Sequence, residues 1–218
     1  MIRSDLKSAE PRQIVYVVDD DIDVRQGLRS LLQSVSLGCE IFQSAGEFLS
    51  RKPRDAESCL ILDVRLPGPS GLDFQAELAA AHIDIPIIFI TGHGDIPMTV
   101  RAMKAGAVEF LTKPLREQDL LDAVRVALER DRERREQDRK LHKLKTQYDS
   151  LSERERQVLS LVTTGMLNKQ MAGQMNLSEV TVKVHRHNLM KKMGAKSVPE
   201  LVKMAEALRI AGQGGGET

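Results

Sequence analysis

The stretch Cys59-Leu60-Ile61-Leu62-Asp63-Val64-Arg65-Leu66-Pro67-Gly68 decides the fold, because a short apolar run ends abruptly in a carboxylate and then in turn residues. This is the pattern of a buried parallel strand that carries one Asp at its carboxyl end, where open α/β sheets bind their ligands. Taken alone, Asp63 could be a helix or turn cap. Four other stretches end in residues suited to the same place: Asp19-Asp20-Asp21, Thr91-Gly92, Phe110 and Lys113-Pro114.

Working outward, Ile14 to Val18 reads as a second buried strand, and its acids open an amphipathic helix from Ile22 to Ser34 with Val24, Leu28, Leu31 and Leu32 on its apolar face. Cys39 to Gln43 is a short strand and Ser44 to Leu49 a short helix. The loop 67–71 opens a helix faced by Leu72, Phe74, Leu78 and Ala81. Ile85 to Ile90 is a strand ending at Thr91, Pro97 lies in the first turn of a helix through Lys104, and Val108 to Leu111 is the last strand. Five strands alternating with helices predict a flavodoxin-like α/β parallel sheet in the order 2-1-3-4-5. That order brings Asp19, Asp20, Asp63, Thr91 and Lys113 to one edge.

The chain has 218 residues, of which 41% are hydrophobic, enough for two small domains with real cores. Residues 1 to 118 hold 13 Lys and Arg against 17 Asp and Glu, whereas 151 to 218 hold 10 against 6. An acidic front joined to a basic back suggests two domains with different partners, the basic one suited to nucleic acid. Cys39 and Cys59 sit in strand contexts and read as packed, reduced thiols. No apolar run approaches a membrane span and the first residues lack an apolar signal region, so a cytoplasmic protein without a membrane partner is expected.

From Asp119 a helix carries Leu120, Leu121, Val124, Ala127 and Leu128, then enters 129–140, which has no apolar residue and reads as a solvated linker helix. Asp131 with Arg135 and Glu136 with Lys140 are acid-first i, i+4 pairs. Leu141, Leu144, Tyr148 and Leu151 space either as a short coiled-coil seam or as an unpaired spacer. Ser152-Glu153-Arg154-Glu155 is a capping box that starts a new, all-α domain. Its first helix ends at Gly165, a second is capped by Asn168 and stops at Asn176, a third is capped by Ser178 and ends before Gly194, and a fourth covers Val198 to Leu208. The expected partition is a lead-in over 1–12, an α/β domain over 13–128, a linker over 129–150, a helical domain over 151–211 and a disordered tail over 212–218.

Clustered acids predict a divalent cation held by hard oxygen ligands, Mg²⁺ being the expected one, with Asp20 and Asp63 as direct ligands and Asp19 acting through water. Asp63 is then a nucleophile toward a phosphoryl group, while Lys113 and the Thr91 hydroxyl meet the phosphoryl oxygens and Gly92 leaves room for them. These residues resemble the receiver domain of two-component response regulators, through Asp19-Asp20, Asp63, Thr91 and Lys113-Pro114, and Thr91 to Met98 is similar to the FixJ branch. The resemblance implies that Asp63 accepts phosphate from a sensor histidine kinase and that the backbone carbonyl of Arg65 is a metal ligand. It also implies that Phe110 turns inward on activation and that Lys113-Pro114 is a cis peptide. A haloacid-dehalogenase-like phosphatase needs a second Asp two residues after the first; here that position is Arg65.

The C-terminal half resembles the LuxR-type helix-turn-helix of the FixJ/NarL group, from Leu151-Ser-Glu-Arg-Glu through Thr181-Val-Lys-Val-His185 to Lys196-Ser197. The third helix carries Lys183, His185, Arg186, His187, Lys191 and Lys192 with Glu179 as its one acid, a helix suited by charge to DNA. By family position Lys183, Val184 and His187 reach base edges. Asn168, Lys169, Thr181, His185, Arg186 and Lys191 contact phosphates. Relatives place Lys or Asn where His187 stands, so base preference there is open. The expectation is a phosphorylated transcription regulator, not an enzyme acting on an outside substrate, that dimerises on phosphorylation, binds double-stranded promoter DNA and works with RNA polymerase. The alternative is a DNA-binding transcription factor whose receiver is a phosphate-independent dimerisation scaffold.

Overall fold

Period-two alternation sorts the strand side chains onto the two faces of the sheet. The computed structural model describes residues 13–51, 54–92, 94 and 96–213, with side chains to residue 208. The chain divides into two units, Met1–Arg135 and Glu136–Thr218. In the first, β1 (Gln13–Val18), α1 (Ile22–Ser34), β2 (Gly38–Phe42), α2 (Ala45–Ser50), β3 (Glu57–Asp63), α3 (Gly71–Ala80), β4 (Ile87–Thr91), α4 (Ile96–Lys104) and β5 (Glu109–Thr112) lead into the helix α5 (Glu117–Asp149). All strands pair parallel in the order β2-β1-β3-β4-β5, the flavodoxin-like order expected.

Ile14, Tyr16, Val18, Leu60, Leu62 and Phe89 face one way, onto Phe48 of α2, Phe74 and Leu78 of α3 and Ala102 of α4. Val15, Val17, Cys59, Ile61, Ile88 and Ile90 face the other, onto Leu28 and Leu32 of α1 and Leu120, Val124 and Leu128 of α5. A sheet covered on both faces explains why β1, β3 and β4 are built on the apolar runs 14–18, 59–62 and 87–90. Each run stops where the sheet ends, and the first polar residue beyond it stands on the carboxyl edge.

Several local expectations are corrected. Strand β4 starts at Ile87, not Ile85, because Pro86 has no N–H for the ladder; its carbonyl still accepts from Leu60 N–H at 2.9 Å. Ala81 is the exposed C-cap of α3, and Gln75 is buried instead, donating to the Ala105 carbonyl at 3.0 Å. The segment 129–140 is not solvated throughout, since Asp131 is fully buried. The expected lead-in 1–12 lies outside the described residues.

In the second unit α6 (Glu153–Thr163), α7 (Asn168–Met175), α8 (Glu179–Met193) and α9 (Val198–Gln213) enclose a core of Leu151, Val158, Leu159, Val162, Met171, Val182, Leu189, Met193 and Leu201. Leu144 and Tyr148 from the end of α5 pack against that core, so the spacing that could read as a coiled-coil seam is used within the chain. Leu167, not Asn168, is the N-cap of α7, its N–H donating to Gln170 Oε1 at 2.8 Å; Asn168 is the first helical residue and its side chain is engaged elsewhere. Ser178 caps α8 and Gly194 closes it at φ 68°, in the left-handed region. Helix α9 continues past Leu208 to Gln213, taking in the first two residues of the expected tail; 214–218 lie outside the described residues.

Glu155 ties this unit together. The buried carboxylate accepts from the Ser152 N–H at 2.7 Å and from Lys192 Nζ at 2.7 Å. Burial pushes its pKa up, but the bonds from Lys192 and Ser152 outweigh burial and hold it below the ordinary glutamate value. A depressed folded pKa contributes stability above the unfolded value of about 4.3, lost as pH falls through the folded value. Glu155→Gln is therefore expected to destabilise the unit by about 1–3 kcal/mol at neutral pH, and by progressively less on acidification. Hydrogen exchange of α6 and α8 amides, measured from neutral to acid pH, checks both the size and the pH trend.

Candidate functional site

The carboxyl edge of the sheet gathers the residues that the sequence pattern assigns to it. Asp19 follows β1 and is fully buried, Asp20 beside it is exposed, and Asp63 is the buried last residue of β3. One carboxylate oxygen from each of the three lies within 4.8 Å of the others. Lys113, just past β5, places Nζ 2.7 Å from Asp19 Oδ2 and 2.6 Å from Asp63 Oδ2. Arg65 N–H donates to Asp63 Oδ1 at 2.8 Å, and Asp21 N–H to Asp19 Oδ1 at 2.9 Å. Asp21 caps α1 through Asp23 N–H at 2.8 Å, so it belongs to the helix and not to the cluster.

Burial raises the pKa of Asp19 despite its bonds from Lys113 and Asp21. For Lys113 burial acts downward, and the hydrogen bonds to Asp19 and Asp63 outweigh it, so the ammonium is held above its ordinary value. Three carboxylates against one ammonium leave net negative charge in a partly buried site. A hard-oxygen donor set of this kind fits Mg²⁺, with Asp19, Asp20 and Asp63 as the side chains able to hold it.

Thr91 is fully buried at the end of β4, and its carbonyl accepts from Lys113 N–H at 2.7 Å, which fixes the last turn of β4 against the residue after β5. The Lys113-Pro114 peptide is cis. Phe110 is half-buried, its ring 6.2 Å from that of Phe89.

Three further residues shape the site and were missed in the sequence. Arg25 is buried, and its guanidinium donates to the Asp19 carbonyl, holding the β1–α1 turn. Its position with Leu28 and Leu32 on the apolar stripe of α1, at spacings of three and four, was the signal available. Gly71 lies so close beneath β3 that a Cβ would fall 2.4 Å from the Asp63 carbonyl oxygen; only glycine permits its N–H to reach the Val64 carbonyl at 2.9 Å. A Cβ on Gly94 would fall 2.8 Å from Phe110 Cε1 and 3.2 Å from Thr91 Cγ2, so a side chain there would press on both. Neither glycine has a positive φ to betray it.

In the second unit Lys183, Val184, His187 and Lys191 are exposed on α8, and Lys169 is exposed near the start of α7. Thr181, His185 and Arg186 are half-buried. Arg186 Nη1 donates to Asn168 Oδ1 at 2.8 Å, Thr181 Oγ1 meets Ser178 Oγ at 2.8 Å, and Lys183 pairs with Glu179 at 3.2 Å. Lys192 is bound to Glu155 and the Ser150 carbonyl, so that cation of the third helix serves the fold.

A parallel 2-1-3-4-5 sheet with an acid cluster bridged by a lysine, followed by a four-helix unit with an exposed basic helix, defines a receiver-type signalling protein with a helix-turn-helix output. Family models agree: residues 15–125 match the response regulator receiver domain and 149–205 the bacterial regulatory proteins of the luxR family. The chain is 56% identical over 203 residues to Nodulation protein W of Bradyrhizobium diazoefficiens, covering 93% of this chain and 89% of that one. It resembles the low-resolution structure of the response regulator StyR with a TM-score of 0.82 at 50% identity, over 89% of this chain and 98% of that one. Full-length FixJ from B. japonicum matches with a TM-score of 0.54 at 36% identity, over 90% and 97%. The chain belongs to the FixJ-like response regulators of two-component systems, transcription regulators that join a receiver to a LuxR-type DNA-binding domain. Membership implies a sensor kinase and DNA as partners. Among the described residues no helix is long and apolar enough to cross a membrane.

Proposed function

We propose that a sensor histidine kinase phosphorylates Asp63, and that the phosphorylated chain dimerises and binds promoter DNA. The observation that carries this reading is the Lys113 ammonium spanning Asp19 and Asp63 at 2.7 and 2.6 Å on the carboxyl edge. A carboxylate oxygen of Asp63 attacks phosphorus as the bond to the kinase histidine nitrogen breaks, and the electron pair leaves with that nitrogen. Lys113 balances the charge growing on the phosphoryl oxygens, and Thr91 offers them its hydroxyl. Asp20 and Asp63, with Asp19 through water and the Arg65 carbonyl, would hold Mg²⁺, which neutralises charge between carboxylate and phosphoryl group when bound. The chain's chemistry is confined to acquiring and losing its own phosphate.

The proposed partition is a receiver over 13–128, a linker over 129–150 and an output domain over 151–211. Phe110, beside Gly94 and with its ring 6.2 Å from that of Phe89, is the switch that carries occupancy of the site to α4. The output domain reads bases with Lys183, Val184 and His187. It grips phosphates with Lys169, Thr181, His185, Lys191 and the Asn168–Arg186 pair. Work with RNA polymerase and a cytoplasmic location follow from this role.

Lys183→Ala is expected to relax preference at one base position by about 1–3 kcal/mol, whereas Lys191→Ala weakens all sequences alike and lowers the salt slope by about one. Binding isotherms on specific and random duplexes at several salt concentrations separate the two. Identical behaviour of both variants would remove the assignment of Lys183 to the groove.

A further inference from the structure

Asp131 is fully buried on α5, one turn past Ala127 and Leu128 and inside the stretch 129–140 that has no apolar residue, and nothing in phosphoryl transfer or DNA binding uses it. Its surroundings account for both oxygens. Oδ2 accepts from Ser58 N–H at 2.9 Å and from Arg135 Nε at 2.6 Å; Oδ1 accepts from Arg134 Nη2 at 2.6 Å and Nε at 3.2 Å. Arg135 Nη1 reaches on to Asp55 Oδ1 at 2.7 Å. Backbone geometry explains why the acid is wanted there. Leu60 N–H points toward β4 and bonds the Pro86 carbonyl; Ser58 N–H, two residues earlier, points the same way, but β4 begins only at Ile87. A buried N–H without a strand partner is costly, and Asp131 supplies the missing acceptor.

We propose that Asp131 is a clamp that makes the first turns of the linker helix, as far as Arg135, part of the receiver's rigid body. Ser58 stands at the opposite end of β3 from Asp63, so the clamp ties the helix leaving the receiver to the strand that carries the phosphoacceptor. A change at the carboxyl edge is then passed into the linker at Arg135 and is not dissipated in a fraying helix beyond Leu128. The inference rests on the phosphorylation reading for its functional part, and on geometry alone for the clamp.

Full-length wild type, Asp131→Ala and, as a control beyond the clamp, Glu136→Ala are compared with and without beryllofluoride and Mg²⁺. Hydrogen exchange of residues 129–135 is expected to quicken at least about tenfold in Asp131→Ala and to stay unchanged in Glu136→Ala. Phosphorylation by acetyl phosphate stays within about twofold of wild type, while the gain in DNA affinity on activation, about 10²-fold in wild type, falls below about threefold. Unchanged exchange at 129–135, or a full affinity gain in Asp131→Ala, overturns the proposal. If Asp131→Ala does not fold, Arg135→Gln cuts the ties to Asp131 and Asp55 while sparing the acceptor of Ser58, and the same two outcomes decide. A wild-type protein that ignores beryllofluoride would sink the phosphorylation reading, and the exchange data would still judge the clamp.

Discussion

Asp63→Asn is expected to abolish phosphorylation by acetyl phosphate: in the presence of Mg²⁺ the wild-type chain gains a phosphoryl group by intact mass and the variant gains none. The substitution is nearly isosteric, and the new amide oxygen can still accept from Arg65 N–H, so the β3–α3 turn is retained. What is lost is chemical. An amide oxygen is not a nucleophile toward phosphorus in this setting, and the Lys113 ammonium keeps Asp19 as its one carboxylate partner of the two it now spans. Removing one of three carboxylates also weakens a hard-cation site whose affinity depends on ligand charge. A full mass shift in the variant would move the phosphoacceptor to another residue, with Asp20, the exposed acid of the cluster, first in line.

The strand ends were legible because a parallel strand buried on both faces is an apolar run, and its first polar residue marks the sheet edge. Asp19, Asp63 and Thr91 could thus be assembled from the sequence, whereas Lys113 lies one residue past Thr112 of the half-exposed edge strand β5 and was placed by the strand end alone. Gly71, Gly94 and Asp131 were not legible, because each answers to a tertiary neighbour distant in sequence or to a backbone approach; the stripe of α1 marks Arg25 as buried but not its bond to the Asp19 carbonyl. Gly71 is dictated by the Asp63 carbonyl, Gly94 by the Phe110 ring and Asp131 by a Ser58 N–H that lies beyond the reach of β4. Asn168 shows the limit of local capping rules, since its side chain meets Arg186 on another helix while Leu167 takes the cap position. The Leu144 and Tyr148 spacing shows the limit of periodicity, which reveals that an apolar face is covered but not by what.

Phosphorylation is expected to raise affinity for a two-fold-related DNA site by about 10²-fold without any new base contact. Two linked output domains meet the second half-site at an effective concentration in the range of ~mM. The surface proposed to join the chains is α4 and its neighbours. Ile96, Val100 and Met103 are 80%, 44% and 42% exposed there, apolar side chains that a second copy would cover. The helix lies next to the Gly94–Phe110 contact, so a shift of the Phe110 ring toward the phosphorylated site reaches it directly. Val100→Asp or Lys104→Glu is then expected to remove most of that gain while leaving Asp63 phosphorylation and the affinity for a single half-site intact. Fluorescence anisotropy on one-half-site and two-half-site duplexes reads the difference.

Sedimentation velocity of the full chain with Mg²⁺, with and without beryllofluoride, reads the joining of two chains on phosphorylation. A monomer is expected to become a dimer on adding the mimic, with no change in Asp63→Asn and a weakened shift in Val100→Asp. A chain that is dimeric in both conditions, or one that stays monomeric with the mimic yet binds DNA more tightly, would contradict it.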